Sequence, residues 1–308
     1  MNWAGVMPAM TTPFDSNGAV DHAFLAQHAA WLLGNGCTGL VVLGSLGEGA
    51  TLEYDEKVEA LKTVIRAAKG KAPVVAAISS LSTAASVKLA KHAEQLGCEG
   101  LLVLPPYVYS TDWREMKQHV SAIIAATRLS CMIYNNPVSY GTDFVPEQIA
   151  ELAAEHANLH AVKESSTDVR RVSAIRALLG NRLEVFVGVD DAIYEGVAAG
   201  ATGWIAGLVN AFPAESVELF NLARARKLDE AFDLYRWFLP LLRMDTVPKL
   251  VQLIKWVQGQ RGVGSANVRA PRLEIVGAEL AEAQQVLRTA LANRPKINEV
   301  PISNFKGA

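Results

Sequence analysis

The sequence predicts an α/β fold: a (β/α)8 TIM barrel over residues 1–226, followed by a C-terminal helical domain over residues 227–308. Three observations predict it. Short apolar runs at residues 6–12, 39–45, 73–79, 100–106, 130–136, 159–164, 183–189 and 203–209 alternate with longer stretches of helical period. Continuous apolar character marks strands buried on both faces, as in a parallel sheet, and eight of them is the number a barrel requires. Second, one turn recurs. Gly36-Cys37-Thr38-Gly39-Leu40-Val41-Val42-Leu43 matches Gly97-Cys98-Glu99-Gly100-Leu101-Leu102-Val103-Leu104, and Gly200-Ala201-Thr202-Gly203-Trp204-Ile205 echoes both. Its first glycine suits the left-handed position after a helix, and its second starts a strand. Third, the alternation stops after Val209, and residues 212–226, 228–243, 247–258 and 278–292 are all helical by period. The first of these completes the barrel and the other three form the appendage. A doubly wound open sheet is the competing architecture, but it usually shows fewer strands.

The elements between the strands carry their own signals. Residues 21–33 place Phe24, Leu25, His28 and Leu32 on one helical face. Residues 51–68 repeat Leu52, Val58, Leu61 and Ile65 with charges between them. Asp112-Trp113-Arg114-Glu115 has the shape of a capping box before a helix at 116–126, and Pro146 fits the first turn of a helix at 147–156. After the sixth strand, Ser165, Ser166 and Thr167 offer an N-cap ahead of Asp168-Val169-Arg170-Arg171. Tyr235, Trp237, Phe238 and Trp256 are packing residues of the C-terminal helices.

Composition removes several function classes. A formal charge of −2 gives no footprint for nucleic acid or an anionic membrane. Cys37, Cys98 and Cys131 are far apart in apolar surroundings and read as free core thiols in a reducing compartment. The six histidines form no metal-binding pattern, so no metal is expected. No stretch has the length of a membrane span, and the first residues carry no basic region ahead of a long apolar one. The expectation is a cytoplasmic enzyme.

In a barrel the C-terminal strand ends carry the site. Here they supply Thr11, the turn Gly44-Ser45-Leu46-Gly47-Glu48-Gly49, Tyr107, Tyr134-Asn135-Asn136-Pro137, Lys163-Glu164, Asp190-Asp191 and Gly207-Leu208-Val209-Asn210. Lys163 ends a short apolar strand. Desolvation there disfavours its ammonium, and a neutral amine attacks a carbonyl to form a Schiff base. A tyrosine relays protons at the adjacent carbon, and backbone N–H groups hold a carboxylate. The set suits a 2-oxo acid. Each residue also has a plainer reading. Lys163 pairs with Glu164 or reaches solvent, Tyr134 packs, Gly44–Gly49 is only a tight turn, and Asp190 caps the helix that follows. A phosphate-binding barrel finds only a faint candidate in Gly207-Leu208-Val209-Asn210.

These strand ends, in this order, resemble the dihydrodipicolinate synthase/N-acetylneuraminate lyase family of class I Schiff-base lysine enzymes. The match runs from about Gly5 to Leu273 and rests on Gly44-Ser45-Leu46-Gly47-Glu48, Tyr134-Asn135-Asn136-Pro137, Val162-Lys163-Glu164-Ser165 and Asn267-Val268-Arg269-Ala270-Pro271. The resemblance implies a homotetramer with no cofactor beyond the covalent Schiff base on Lys163. It implies that Tyr134 shuttles protons, that Ser45 and the Leu46 backbone N–H take the substrate carboxylate beside Gly44, and that the Ile205 carbonyl lines the site. Tyr107 matches a tyrosine that completes a neighbouring subunit's relay in the synthases.

Two positions depart from the synthases. Those enzymes carry an arginine for the second carboxylate of aspartate semialdehyde where this chain has Ser139, and a second threonine where it has Leu46. The wording is closer to a subgroup acting on 4-hydroxy-1-pyrroline-2-carboxylate in hydroxyproline breakdown, as Leu104-Pro105-Pro106-Tyr107, Val138-Ser139-Tyr140-Gly141 and Arg243-Met244-Asp245-Thr246-Val247-Pro248-Lys249 suggest. The expected activity is therefore that of a lyase or hydrolase releasing ammonia and 2,5-dioxopentanoate from this cyclic imine. The alternatives are 4-hydroxy-tetrahydrodipicolinate synthase-like condensation, an N-acetylneuraminate lyase, and an aldolase or dehydratase of 2-keto-3-deoxy sugar acids. A non-catalytic keto-acid sensor is the reading from another class.

Overall fold

The computed structural model describes residues 1–106 and 112–307. Its strands are β1 (Gly5–Pro8), β2 (Leu40–Val42), β3 (Val74–Ile78), β4 (Gly100–Val103), β5 (Ser130–Asn135), β6 (Leu159–Glu164), β7 (Glu184–Val187) and β8 (Gly203–Ala206). They lie in the order β1-β8-β7-β6-β5-β4-β3-β2, every neighbouring pair parallel. The two ends of that order also meet. Met10 N–H donates to the Val41 carbonyl at 2.8 Å and Thr38 N–H donates to the Val6 carbonyl at 2.9 Å. The sheet thereby closes into the expected (β/α)8 barrel.

Strand alternation sorts the side chains into two layers. Met7, Val41, Met132, Ala161, Phe186 and Ile205 fill the barrel interior. Val6, Leu40, Ile133, Val162, Val185 and Trp204 face the surrounding helices. Lys163 follows Val162, so it belongs to the interior face, and Glu164 belongs to the outer one. This parity excludes the reading in which the two pair with each other.

Several strands stop earlier than the apolar runs suggest. β2 ends at Val42 because Leu43 turns into the left-handed region at φ 71°. β8 ends at Ala206 because Leu208–Asn210 winds into a 3-10 turn. Both breaks open the C-terminal rim. The helix after β6 is also corrected: it runs Arg170–Leu179, and its N-terminal residue is not capped by a serine or threonine side chain. Thr167 at φ 68° interrupts the chain, and Asp168 instead accepts from Arg170 N–H at 3.1 Å. Asp112 does cap the helix Trp113–Ala125, accepting from Arg114 N–H at 2.8 Å.

After the helix Pro213–Arg224 come Leu228–Leu242, Leu250–Gln260 and Gly277–Ala292. Trp237 stacks on Phe238 at 5.1 Å, and Phe238 meets Phe212 edge-on at 5.7 Å. Tyr235 OH donates to the Asp191 carbonyl at 2.5 Å, which ties the helix Leu228–Leu242 to the loop after β7. These helices thus lie over the strand ends and bring the turn Arg243–Asp245 to the rim. Among the described residues, no helix is long and apolar enough to cross a membrane.

Candidate active site

A cavity of about 410 Å³ opens at the C-terminal rim, with Lys163 and Tyr134 in its wall. The register of β5 against β6 explains why they are neighbours: Tyr134 lies opposite Lys163, and Asn135 lies opposite Glu164. One pair faces inward and the other outward. The Lys163 Nζ sits 4.2 Å from the Tyr134 ring centroid, with the residue 6% exposed. Outside, Asn135 Nδ2 donates to Glu164 Oε2 at 3.1 Å, and Ser166 N–H donates to Glu164 Oε1 at 2.6 Å. Burial pushes the Glu164 carboxyl up, against those bonds.

Gly188, at the end of β7, makes room for the amine. A Cβ there would lie 2.0 Å from Ser165 Oγ and 2.5 Å from Lys163 Cε. Gly188→Ala therefore has to displace the lysine. The expected result is a loss of about 10²-fold in kcat, the cost of misplacing a reacting atom by about 1 Å, with an unchanged circular dichroism spectrum.

Tyr134 is buried, and its hydroxyl accepts from Asn136 Nδ2 at 3.0 Å. Its ring meets the Tyr140 ring edge-on at 5.8 Å, and the Tyr140 hydroxyl is hydrogen-bonded to Ser45 Oγ. Ser45 and Leu46 belong to a turn shaped by close backbone contacts. A Cβ on Gly49 would lie 2.0 Å from the Leu43 carbonyl oxygen, and one on Gly47 would lie 2.7 Å from that of Met10. Only glycine fits at either place. Thr12 Oγ1 donates to the Gly47 carbonyl at 2.6 Å, and the buried Glu48 carboxylate binds Lys255 Nζ at 2.8 Å. Glu48 is thus a brace behind the turn.

The structure brings Lys163, Tyr134, Gly44, Ser45, Leu46 and Ile205 to one cavity. Thr11 is the correction: it does not line that cavity. Its Oγ1 donates to Gln258 Oε1 at 2.9 Å, and its N–H donates to Asn210 Oδ1 at 3.2 Å. β1 ends at Pro8, so the inward alternation reaches Ala9 and stops there. Tyr107 lies outside the described residues.

Asp190 is a second correction. Its carboxylate does not cap the helix that follows it. It is buried and accepts from Trp204 Nε1 at 3.1 Å, Gly207 N–H at 3.1 Å and Leu208 N–H at 2.8 Å, so it holds the turn after β8. Burial pushes this carboxyl up to about 6, opposed by those three bonds. Sequence reasoning missed Asp245, which enters the wall from the turn Arg243–Asp245. Its only signal was that it lies in the stretch 243–249.

Among the described residues, no group of three or more His, Cys, Asp or Glu side chains could hold a metal ion. The three cysteines are buried and unpaired, and burial pushes the Cys98 and Cys131 thiols up to about 12.

The model of the dihydrodipicolinate synthetase family matches residues 2–290. The chain belongs to that family. A 4-hydroxy-tetrahydrodipicolinate synthase from Geotalea uraniireducens is 33% identical over 290 residues, 93% of this chain and 97% of that one. The solved 4-hydroxy-tetrahydrodipicolinate synthase of Methylacidiphilum fumariolicum SolV superposes with a TM-score of 0.91 at 26% identity, covering 99% of this chain and all (100%) of the other. The dihydrodipicolinate synthase of Thermotoga maritima gives 0.88 at 28% identity, covering 93% and 98%. Enzymes of the dihydrodipicolinate synthetase family use a covalent lysine Schiff base and no metal cofactor. This family chemistry needs a lysine amine open to the barrel mouth, and among the described residues of the cavity wall Lys163 is the one cation.

Proposed function

We propose that this member of the dihydrodipicolinate synthetase family uses Lys163 to open 4-hydroxy-1-pyrroline-2-carboxylate and release ammonia and 2,5-dioxopentanoate. The charge of the cavity wall carries this reading. Among its described residues Lys163 is the one cation. Lys163 is consumed by the Schiff base, so no cation is left for a second substrate carboxylate. Ser139, which stands where the synthases hold an arginine, lines the same wall. A dicarboxylate there would leave its second carboxylate without a cationic partner, and a buried unpaired carboxylate costs several kcal/mol.

The chemistry follows from the placement of the side chains. The substrate carboxylate lies on Ser45 and the Leu46 N–H. The Lys163 amine attacks C2 and displaces the ring nitrogen, which remains attached to C5 as an amine. Tyr134, whose ring lies against the Lys163 amine, gives its hydroxyl proton to the departing nitrogen; the iminium acidifies C3, and the Tyr134 phenolate takes that proton. The C4 hydroxyl then leaves. Tautomerisation moves unsaturation to C5, and hydrolysis there frees ammonia. A second hydrolysis at C2 restores Lys163.

Tyr134→Phe keeps the ring under the amine and removes the hydroxyl. It is expected to lower kcat about 10²- to 10⁴-fold, while borohydride still traps pyruvate on the protein. The proposed assembly is a homotetramer, checked by sedimentation against the 33.1 kDa chain mass.

The names of the relatives favour a second reading, condensation of pyruvate with aspartate semialdehyde. One experiment separates the two. The purified protein is given 4-hydroxy-1-pyrroline-2-carboxylate with an ammonia readout, and in parallel pyruvate with aspartate semialdehyde. Ammonia release with slow condensation supports the first reading. Fast condensation and no ammonia hand the function to the synthase reading.

A further inference from the structure

A carboxyl shares the cavity wall with the Schiff-base lysine, and the proposed reaction leaves it unused. Asp245 lines the cavity from the turn Arg243–Asp245. Its Oδ1 lies over the Gly207 backbone, so close that a Cβ on Gly207 would stand 2.2 Å from it. Asp190 lies behind that backbone. Its two oxygens are already occupied by the Trp204, Gly207 and Leu208 N–H groups, which suit a carboxylate. Among the described residues no salt bridge is made to Asp245. The flanking charges are otherwise taken up: Asp191 faces Arg243 at 3.6 Å and accepts Tyr235 OH on its carbonyl at 2.5 Å. Asp245 is thus a carboxyl that shares the cavity wall with Lys163 and the Gly207 backbone with Asp190, a carboxylate fixed by three donors.

We propose that Asp245 is a catalytic acid of the elimination step: it receives the C4 hydroxyl of the substrate and gives it the proton with which it leaves as water. This deepens the reading of the site as a lysine Schiff-base enzyme for a 4-hydroxylated 2-oxo acid or its cyclic imine, and rests on it. The step balances. The C3–H bond breaks, and its proton goes to the Tyr134 phenolate left when that hydroxyl protonated the departing ring nitrogen. Its electron pair passes into the enamine and then into a C3=C4 bond. The C4–O bond breaks, and its pair leaves with oxygen, which takes the Asp245 proton. Water departs, and Asp245 is left as a carboxylate, recharged from Tyr134 through solvent.

The electrostatics agree with the division of labour. Two carboxyls that share one backbone turn oppose each other's ionisation, and the one with more donors ionises first. Burial first, and then the Asp190 carboxylate, hold the Asp245 carboxyl well above the ordinary range, while Lys163 and the Asp190 backbone N–H act the other way. A carboxyl held toward its protonated form is suited to donate that proton.

The test uses the full-length protein. Asp245→Asn is expected to lower kcat on 4-hydroxy-1-pyrroline-2-carboxylate about 10²- to 10⁴-fold. Borohydride trapping of pyruvate, which has no hydroxyl to expel, should stay within about twofold of wild type. In wild type kcat falls as pH rises through the Asp245 pKa, and in Asp245→Asn that limb is missing. Asp245→Ala should regain turnover when acetate is added, because a small acid fits the space left behind. A kcat for Asp245→Asn near wild type, or an unchanged alkaline limb, overturns the role of Asp245. Loss of pyruvate trapping in wild type would instead sink the Schiff-base reading beneath it, so the two failures are distinguishable.

Discussion

Lys163→Ala is expected to abolish turnover, by at least about 10⁴-fold in kcat, and to abolish borohydride-dependent attachment of pyruvate. The cavity wall explains why no neighbour rescues it. Lys163 is the one cation among its described residues, and Lys255 is engaged with Glu48 and the Thr12 carbonyl. Lys163→Arg is expected to fail equally, because a guanidinium keeps its proton and is no nucleophile. Folding should survive both changes. The Lys163 ammonium makes no ion pair among the described residues, and its ring contact at 4.2 Å is replaceable. Mass spectrometry of the reduced protein gives the decisive readout: a pyruvate-derived mass increment on the peptide containing residue 163 in wild type and none in either variant. An increment that persists in Lys163→Ala would place the Schiff base elsewhere.

The barrel was legible because parallel strands buried on both faces leave continuous apolar runs, and this chain has one for every strand. The rim positions of Lys163 and Tyr134 were legible because each lies near the end of such a run, and strand ends meet at one rim. The rest depended on where strands stop and on what folds back over them. Thr11 looked like a rim residue only while the first strand was extended to residue 12. Once β1 ends at Pro8, the Thr11 hydroxyl turns to Gln258 on the helix Leu250–Gln260. Asp190 looked like a helix cap because a helix follows it, yet the nearest unsatisfied N–H groups belong to the turn after β8. Asp245 had no signal beyond its place in the stretch 243–249. It reaches the cavity through the docking of Leu228–Leu242 on the β7 loop, a tertiary fact that periodicity does not encode.

Lys255→Met is expected to be the costliest single change outside the cavity, at about 3–5 kcal/mol of folding stability. The side chains of Lys255 and Glu48 are 1% and 0% exposed, and their Nζ–Oε1 separation is 2.8 Å. Lys255 Nζ also donates to the Thr12 carbonyl at 2.9 Å and stands 4.4 Å from the Phe14 ring. Removing the ammonium leaves the Glu48 carboxylate buried with the Arg269 N–H at 3.0 Å and Arg272 at 3.6 Å. The Arg272 ion pair is longer and its guanidinium more exposed than the Lys255 ammonium it would have to replace. The double variant Lys255→Met/Glu48→Gln should cost less than the sum of its single changes, because it buries no orphaned charge. The pH dependence separates this account from mere loss of packing. Burial lowers the Lys255 pKa below its ordinary 10.5, with Glu48 opposing. Between the lowered value and 10.5 the unfolded chain binds more protons than the folded one, so this lysine makes stability rise with pH in that window. Urea midpoints of wild type and Lys255→Met should therefore diverge further as pH climbs toward 10.5. A constant gap would mean that shape rather than charge holds the Gly44–Gly49 turn against the helix Leu250–Gln260.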